Sequence, residues 1–328
     1  MNENQLKLFA LNRSHVLGQR VADFMGTRLC QHEERDFEDG EHKARALESV
    51  RNCDVFVIHS LHGDEEQSVN DKLVRMLFFL AALKDAGADR LTAMIPYLCY
   101  ARKDRQTKPR DPVSSRYVAG LLESAGIDCV VTLDVHNLSA YQNAFRCRTE
   151  HLEARKMFAK HFAALAGNED VVVVSPDTGG VKRAEQFRVA LQKRLGRPVE
   201  SAFMEKKRSA GVVSGEAVVG DVKDRFALII DDLIASGGTI ARAVEACQKR
   251  GAARICAAAS HGAFTAIADR NLAQPALERQ VVTDTIPPFR LHSKACGARL
   301  DILSIAPLRA EAIEHRHTGG SLVEMLCI

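Results

Sequence analysis

The chain has 328 residues, 46% of them apolar and 27% charged, which suits a globular protein of two α/β domains rather than one small core. Its net charge is only +3, and with no Trp and 5% aromatics it offers neither a global field nor a stacking surface for nucleic acid. No apolar run reaches the roughly 18 residues of a membrane span, and Met1-Asn2-Glu3-Asn4-Gln5 lacks the basic start of a signal peptide. The nine cysteines form no CxxC spacing, which predicts reduced thiols in a cytoplasmic protein with no membrane partner.

In chain order, β-branched runs predict strands over 54–60, 91–97, 130–134, 171–175, 226–232, 254–261 and 300–305. Several are apolar on consecutive positions, as parallel strands covered on both faces are. Helix-length patterns over 70–86 and 239–250 lie between them, so the fold class is α/β with parallel sheets built from crossover units. The joint Leu83-Lys84-Asp85-Ala86-Gly87-Ala88-Asp89-Arg90-Leu91 is echoed by Cys247-Gln248-Lys249-Arg250-Gly251-Ala252-Ala253-Arg254-Ile255. In both, a helix ends, Gly stands at a left-handed cap, and a strand begins. The echo predicts two related tandem domains, 1–149 and 150–328, with the last segment, 306–328, a candidate to pack back on the first.

Three segments carry chemistry on their own terms. Arg102, Lys103, Arg105, Lys108 and Arg110 crowd nine positions, either as a solvated loop or as an anion site. His136 follows a predicted strand in Asp134-Val135-His136, a place where a lone His is more often structural than catalytic. The sharpest segment is Leu228-Ile229-Ile230-Asp231-Asp232-Leu233-Ile234-Ala235-Ser236-Gly237-Gly238-Thr239. A strand ends in two carboxylates, and a Ser-Gly-Gly-Thr turn then opens a helix. Such a turn aims backbone N–H groups and the positive helix end at an anion. The paired acids suit vicinal ribose hydroxyls, which a carboxylate can accept. No GxxxxGK[ST] phosphate loop is present.

This last segment resembles the ribose-phosphate loop of type I phosphoribosyltransferases and phosphoribosyl pyrophosphate synthetases. Further segments are similar to the synthetase family in particular: Phe37-Glu38-Asp39-Gly40-Glu41, Pro96-Tyr97-Leu98-Cys99-Tyr100-Ala101-Arg102-Lys103-Asp104-Arg105, Asp134-Val135-His136, Ser175-Pro176-Asp177-Thr178-Gly179-Gly180 and Glu205-Lys206-Lys207-Arg208-Ser209-Ala210-Gly211. The resemblance implies two domains of phosphoribosyltransferase-like fold and transfer of pyrophosphate from ATP to ribose 5-phosphate. It implies ATP contacts at Phe37, Asp39, Glu41, Arg102, Lys103, Asp104 and His136. Ribose 5-phosphate would meet Asp177, Asp231, Asp232, Ala235, Ser236, Gly237, Gly238 and Thr239. Mg2+ would lie near His136 and Asp177, and Lys206 and Arg208 would act in catalysis from a mobile loop.

A homo-oligomer, from dimer to hexamer, is also implied. Lys103, Asn137 and Ala235 depart from the family's commoner Gln, Ala and Asp, which predicts weaker phosphate activation and weaker ADP inhibition. Two other readings stay open: a phosphoribosyltransferase, and a catalytically inactive synthetase-associated subunit.

Overall fold

Strand β1 (Leu6–Ala10), helix α1 (His15–Phe24) and the strands β2 (His32–Asp36) and β3 (His42–Ala46) open the chain in the computed structural model, which describes residues 5–209, 212–265 and 267–326. There follow β4 (Asp54–Ile58), α2 (Val69–Asp85), β5 (Arg90–Ile95), α3 (Ser114–Ser124), β6 (Cys129–Leu133), α4 (Leu138–Ala144) and β7 (Arg148–Leu152). These strands form a parallel sheet in the order β1-β4-β5-β6-β7, with β2 and β3 a separate antiparallel hairpin. Every residue of β4 and β6 is buried, and a fully buried Val, Leu or Ile contributes about 1.5–3 kcal/mol.

The second run is α5 (Arg155–Ala166), β8 (Val171–Ser175), α6 (Val181–Leu195), β9 (Glu200–Ser209), β10 (Val212–Val219), β11 (Phe226–Ile234), α7 (Gly238–Lys249) and β12 (Arg254–Gly262). It ends in α8 (Ala268–Leu272), β13 (Arg279–Thr283), α9 (Lys294–Gly297) and β14 (Leu300–Leu303). Its sheet has the order β10-β9-β8-β11-β12-β13-β14, parallel except for the β9/β10 pair.

The chain divides into two compact units, one running through Leu152 and regaining the chain from Ile305, the other Glu153–Ser304. The returning segment carries α10 (Ala306–Thr318) and α11 (Leu322–Leu326). Within that first unit Arg309, 1% exposed, donates to the Val131 carbonyl at 3.3 Å. His317 Nδ1 lies 2.8 Å from the buried Asp54 carboxylate, which also meets Arg90.

The two units wind alike, with β1-β4-β5-β6-β7 matched by β8-β11-β12-β13-β14. The echoed joints are built alike too. Ala88 N–H reaches the Leu83 carbonyl and Gly87 N–H that of Lys84, just as Ala252 reaches Cys247 and Gly251 reaches Gln248. Both are Schellman caps, with φ of 90° at Gly87 and 80° at Gly251. The carbonyls of those two glycines accept in turn from Asn52 and Asp224, themselves left-handed at φ 55° and 56°.

Candidate functional site

In the second unit β11 is buried through Ile230, with α6 and α7 packed on it. The strand does not stop at the carboxylates, as the sequence predicts, but continues to Ile234, because Leu233 and Ile234 pair with His261 and Gly262. Asp232 is 5% exposed and Asp231 half-buried. Burial and then the neighbouring Asp232 charge push the Asp231 carboxyl well above its ordinary range. Arg183 Nη1 opposes this from 3.3 Å and 3.6 Å from the two carboxylates. Arg183 was not among the expected site residues; the signal that could have found it is its place in the first turn of the helix after Asp177–Gly180.

The turn after β11 requires glycine at one point. Gly237 has φ of 72°, and a Cβ there would come within 2.9 Å of Leu272. From the next residue α7 starts with no side-chain cap and no acidic residue in its first turn. Among the described residues the Ser236 hydroxyl receives one bond, from Gly238 N–H at 3.4 Å. Two outer contacts hold the turn: Asn271 Nδ2 donates to the Ser236 carbonyl at 2.7 Å, and Thr265 N–H to that of Ala235 at 2.9 Å. The helix start and the hydroxyls of Ser236 and Thr239 thus form an uncapped anion cradle beside the carboxylate pair. Asp177 is exposed, and its Oδ1 accepts from Gly180 N–H at 2.8 Å, so one carboxylate oxygen braces the turn into α6.

Lys206 and Arg208 run in β9, opposite Glu216 and Val213 of β10, with a register shift between those two. The expected loop is therefore an edge hairpin up to Ser209. The Lys206 and Arg208 side chains, and residues 210 and 211, lie outside the described residues.

In the first unit Phe37, Asp39 and Glu41 occupy the tip of the β2–β3 hairpin, all exposed. Phe37 is 40% exposed, with the Arg35 guanidinium 5.2 Å from its ring centre. The Asp39 carboxylate accepts from Glu41 N–H at 3.1 Å, which shapes the tip. Arg102 and Lys103 are exposed, and Asp104 accepts from Asn137 Nδ2 at 2.7 Å. Among the described residues, none of the five basic side chains from 102 to 110 forms a salt bridge, whereas Arg13, Arg75 and Arg90 in the same unit do. Exposed His136 follows Asp134, whose φ of 40° is strained for a non-glycine, and Asn137 caps α4 through Ala140 N–H at 3.2 Å. The structure therefore brings Asp104 to Asn137, at the edge of a hollow lined by Leu98, Val135 and Tyr141.

Among the described residues no three His, Cys, Asp or Glu side chains stand close enough to cage a metal ion. Mg2+ takes most of its oxygens from substrate phosphates and water, with one or two carboxylates, and Asp177 is an exposed carboxylate. No described helix is long and apolar enough to cross a membrane.

Residues 6–126 match the family model for the N-terminal domain of ribose phosphate pyrophosphokinase, and residues 197–326 that for the phosphoribosyl synthetase-associated domain. The chain is 38% identical to a ribose-phosphate pyrophosphokinase of Caldanaerobacter subterraneus subsp. tengcongensis, covering 98% of each. It is 37% identical to one of Hyphomonas neptunium over 94% of this chain and 95% of that one. The crystal structure of phosphoribosylpyrophosphate synthetase from Mycobacterium smegmatis matches with a TM-score of 0.86 at 36% identity, over 97% of this chain and all of that one. By these similarities across nearly its whole length, the chain belongs to the ribose-phosphate pyrophosphokinase family.

Proposed function

We propose that the chain transfers the pyrophosphoryl group of ATP to the C1 hydroxyl of ribose 5-phosphate, giving phosphoribosyl pyrophosphate and AMP. The observation that carries the reading is the turn after β11, where the buried Asp232 and half-buried Asp231 stand beside a helix start with no cap of its own. One side of that turn suits the sugar's vicinal hydroxyls and the other its phosphate. Hydroxyls donating to Asp231 and Asp232 favour the ionised pair, so sugar binding drives off the proton that burial retains.

On the ATP side Phe37 offers a face to adenine, and Asp39 and Glu41 accept from its exocyclic amine. Arg102 and Lys103, which form no salt bridge among the described residues, suit the triphosphate, with Asp104 and His136 alongside. Attack by the C1 oxygen on the β-phosphorus expels AMP together with the oxygen that bridged the α- and β-phosphorus. Positioning and charge neutralisation carry the catalysis, with Lys206 and Arg208 set against the migrating group. When bound, Mg2+ would supply neutralising charge at the phosphates, and His136 and Asp177 are the residues that would hold it. A cytoplasmic homo-oligomer, from dimer to hexamer, completes the proposal; the described cysteines carry no disulfide.

Purified protein given ATP, ribose 5-phosphate and Mg2+ forms AMP and phosphoribosyl pyrophosphate in equal amounts. Formation of ADP, or no turnover with any divalent metal, overturns the reading.

A further inference from the structure

Because the two units repeat one winding, the first has a counterpart of the β11–α7 turn. Asp54 pairs with Arg90 where Phe226 pairs with Arg254, so Ile58 takes the place of Ile230. His59 and Ser60 then follow β4 where Asp231 and Asp232 follow Ile230 in β11. The connection from there to α2 is closed by a side chain of its own. Asp64 Oδ1 accepts from the backbone N–H groups of Glu66 at 3.0 Å and Gln67 at 2.8 Å. Its Oδ2 takes Arg13 Nε at 3.0 Å and Lys72 Nζ at 2.7 Å.

Two backbone donors, a guanidinium and an ammonium around one carboxylate are the donor set of an oxyanion site. They converge from the β1–α1 connection, the loop and the end of the first turn of α2. Lys72 is wholly buried, and the Asp64 side chain is 7% exposed. Burial opposes the Asp64 charge, but the hydrogen bonds from Lys72, the two N–H groups and Arg13 outweigh it and hold the carboxyl well below its usual range. A planar carboxylate leaves polar atoms of the crevice over, among them one on His59. The His59 ring is 1% exposed, and its Nδ1 is 3.1 Å from the Ser14 hydroxyl. Its Nε2 has no hydrogen-bond partner among the described residues, and the charges of Lys72 and Asp64 both act on the ring.

We propose that this crevice of the first unit is a second oxyanion site, permanently filled by the chain's own Asp64, and that removing the carboxylate opens it to a tetrahedral oxyanion. The unmodified chain then offers a substrate phosphate ester the turn after β11, while the crevice after β4 serves stability. Equilibrium dialysis with labelled inorganic phosphate, on the full chain at fixed ionic strength, tests this. Asp64→Ala binds one more phosphate per chain than the unsubstituted protein, and its Tm rises further with added phosphate. Equal stoichiometry in a variant that keeps its circular dichroism overturns the proposal.

Loss of a buried partner leaves the Lys72 charge exposed to its penalty, so Asp64→Ala is also tested by refolding. Its yield is several-fold higher in phosphate than in chloride, and equal yields contradict the assignment. Asp64→Asn, whose amide still fills the space, binds no extra phosphate; an extra phosphate there would place the site elsewhere and overturn the assignment too.

Discussion

At the end of β11 two carboxylates face one guanidinium, and the helix that follows starts uncapped. After β4 a single carboxylate is held by a guanidinium, an ammonium and two backbone N–H groups, and α2 starts in a capping box between Ser68 and Asp71. One winding thus carries two opposite electrostatic states. In the first unit's crevice Arg13 Nη1 also pairs with Glu66 at 2.8 Å, so two cations meet two carboxylates and the crevice gains rigidity. That of the second leaves its charges mismatched, which costs stability and suits a ligand that brings hydroxyl donors and an anion. Substitutions in the second crevice should therefore act mainly on kinetics, and those in the first mainly on stability.

The largest expected effect is at Lys206 and Arg208. Either one changed to Ala should lower kcat by about 10²–10³ with little change in KM, as for other lost transition-state donors. Near-unchanged steady-state kinetics, with the fold confirmed by circular dichroism, would remove this strand end from the mechanism and reduce the second unit to a binding role.

Asp231 comes next. Its folded pKa is raised by burial and by Asp232, so its contribution to stability is full below the unfolded value of about 4 and is lost as pH rises through the raised value. Asp231→Asn should flatten the fall in stability with rising pH while raising KM for ribose 5-phosphate by about 10–100-fold, the range for a lost hydrogen bond to a charged group. Ribose 5-phosphate binding to the unsubstituted protein should release a proton, seen as calorimetric heats that vary with buffer ionisation enthalpy. Buffer-independent heats would mean that the pair is already ionised.

The smallest effect is at Asn137, whose side chain caps α4 and also reaches Asp104. Asn137→Ala should cost about 1 kcal/mol of stability by chemical denaturation, the usual value of a cap. A large kinetic defect with unchanged stability would make the first unit's cap part of the chemistry and blur the contrast between the units.

Much of this contrast is visible in the sequence, but unevenly. The strands at the sheet centres are legible because every residue of β4, β6 and β8 is apolar or buried. The β2–β3 hairpin and β7 are not, since His32-Glu33-Glu34-Arg35-Asp36 and Arg148-Thr149-Glu150-His151-Leu152 have no apolar run and owe their form to pairing with a neighbouring strand, β2 with β3 and β7 with β6. The Ser-Gly-Gly-Thr turn is legible because strand, turn and helix start are contiguous. The Asp64 clasp is hidden because Arg13 lies 51 positions away, and nothing local marks the pair. Likewise the echoed joints show one corner of the repeat, while α2 at 17 residues and α7 at 12 break the spacing that would have shown the rest.

In the proposed reaction two phosphoryl groups leave ATP together for a sugar held in the second unit. Following ATP and ribose 5-phosphate by phosphorus NMR during turnover tests it most directly. The β- and γ-phosphorus signals should disappear from ATP at one rate and reappear together as a diphosphate on the ribose C1 oxygen, with AMP rising in step. Transfer of the γ-phosphorus alone, with ADP accumulating, would contradict it.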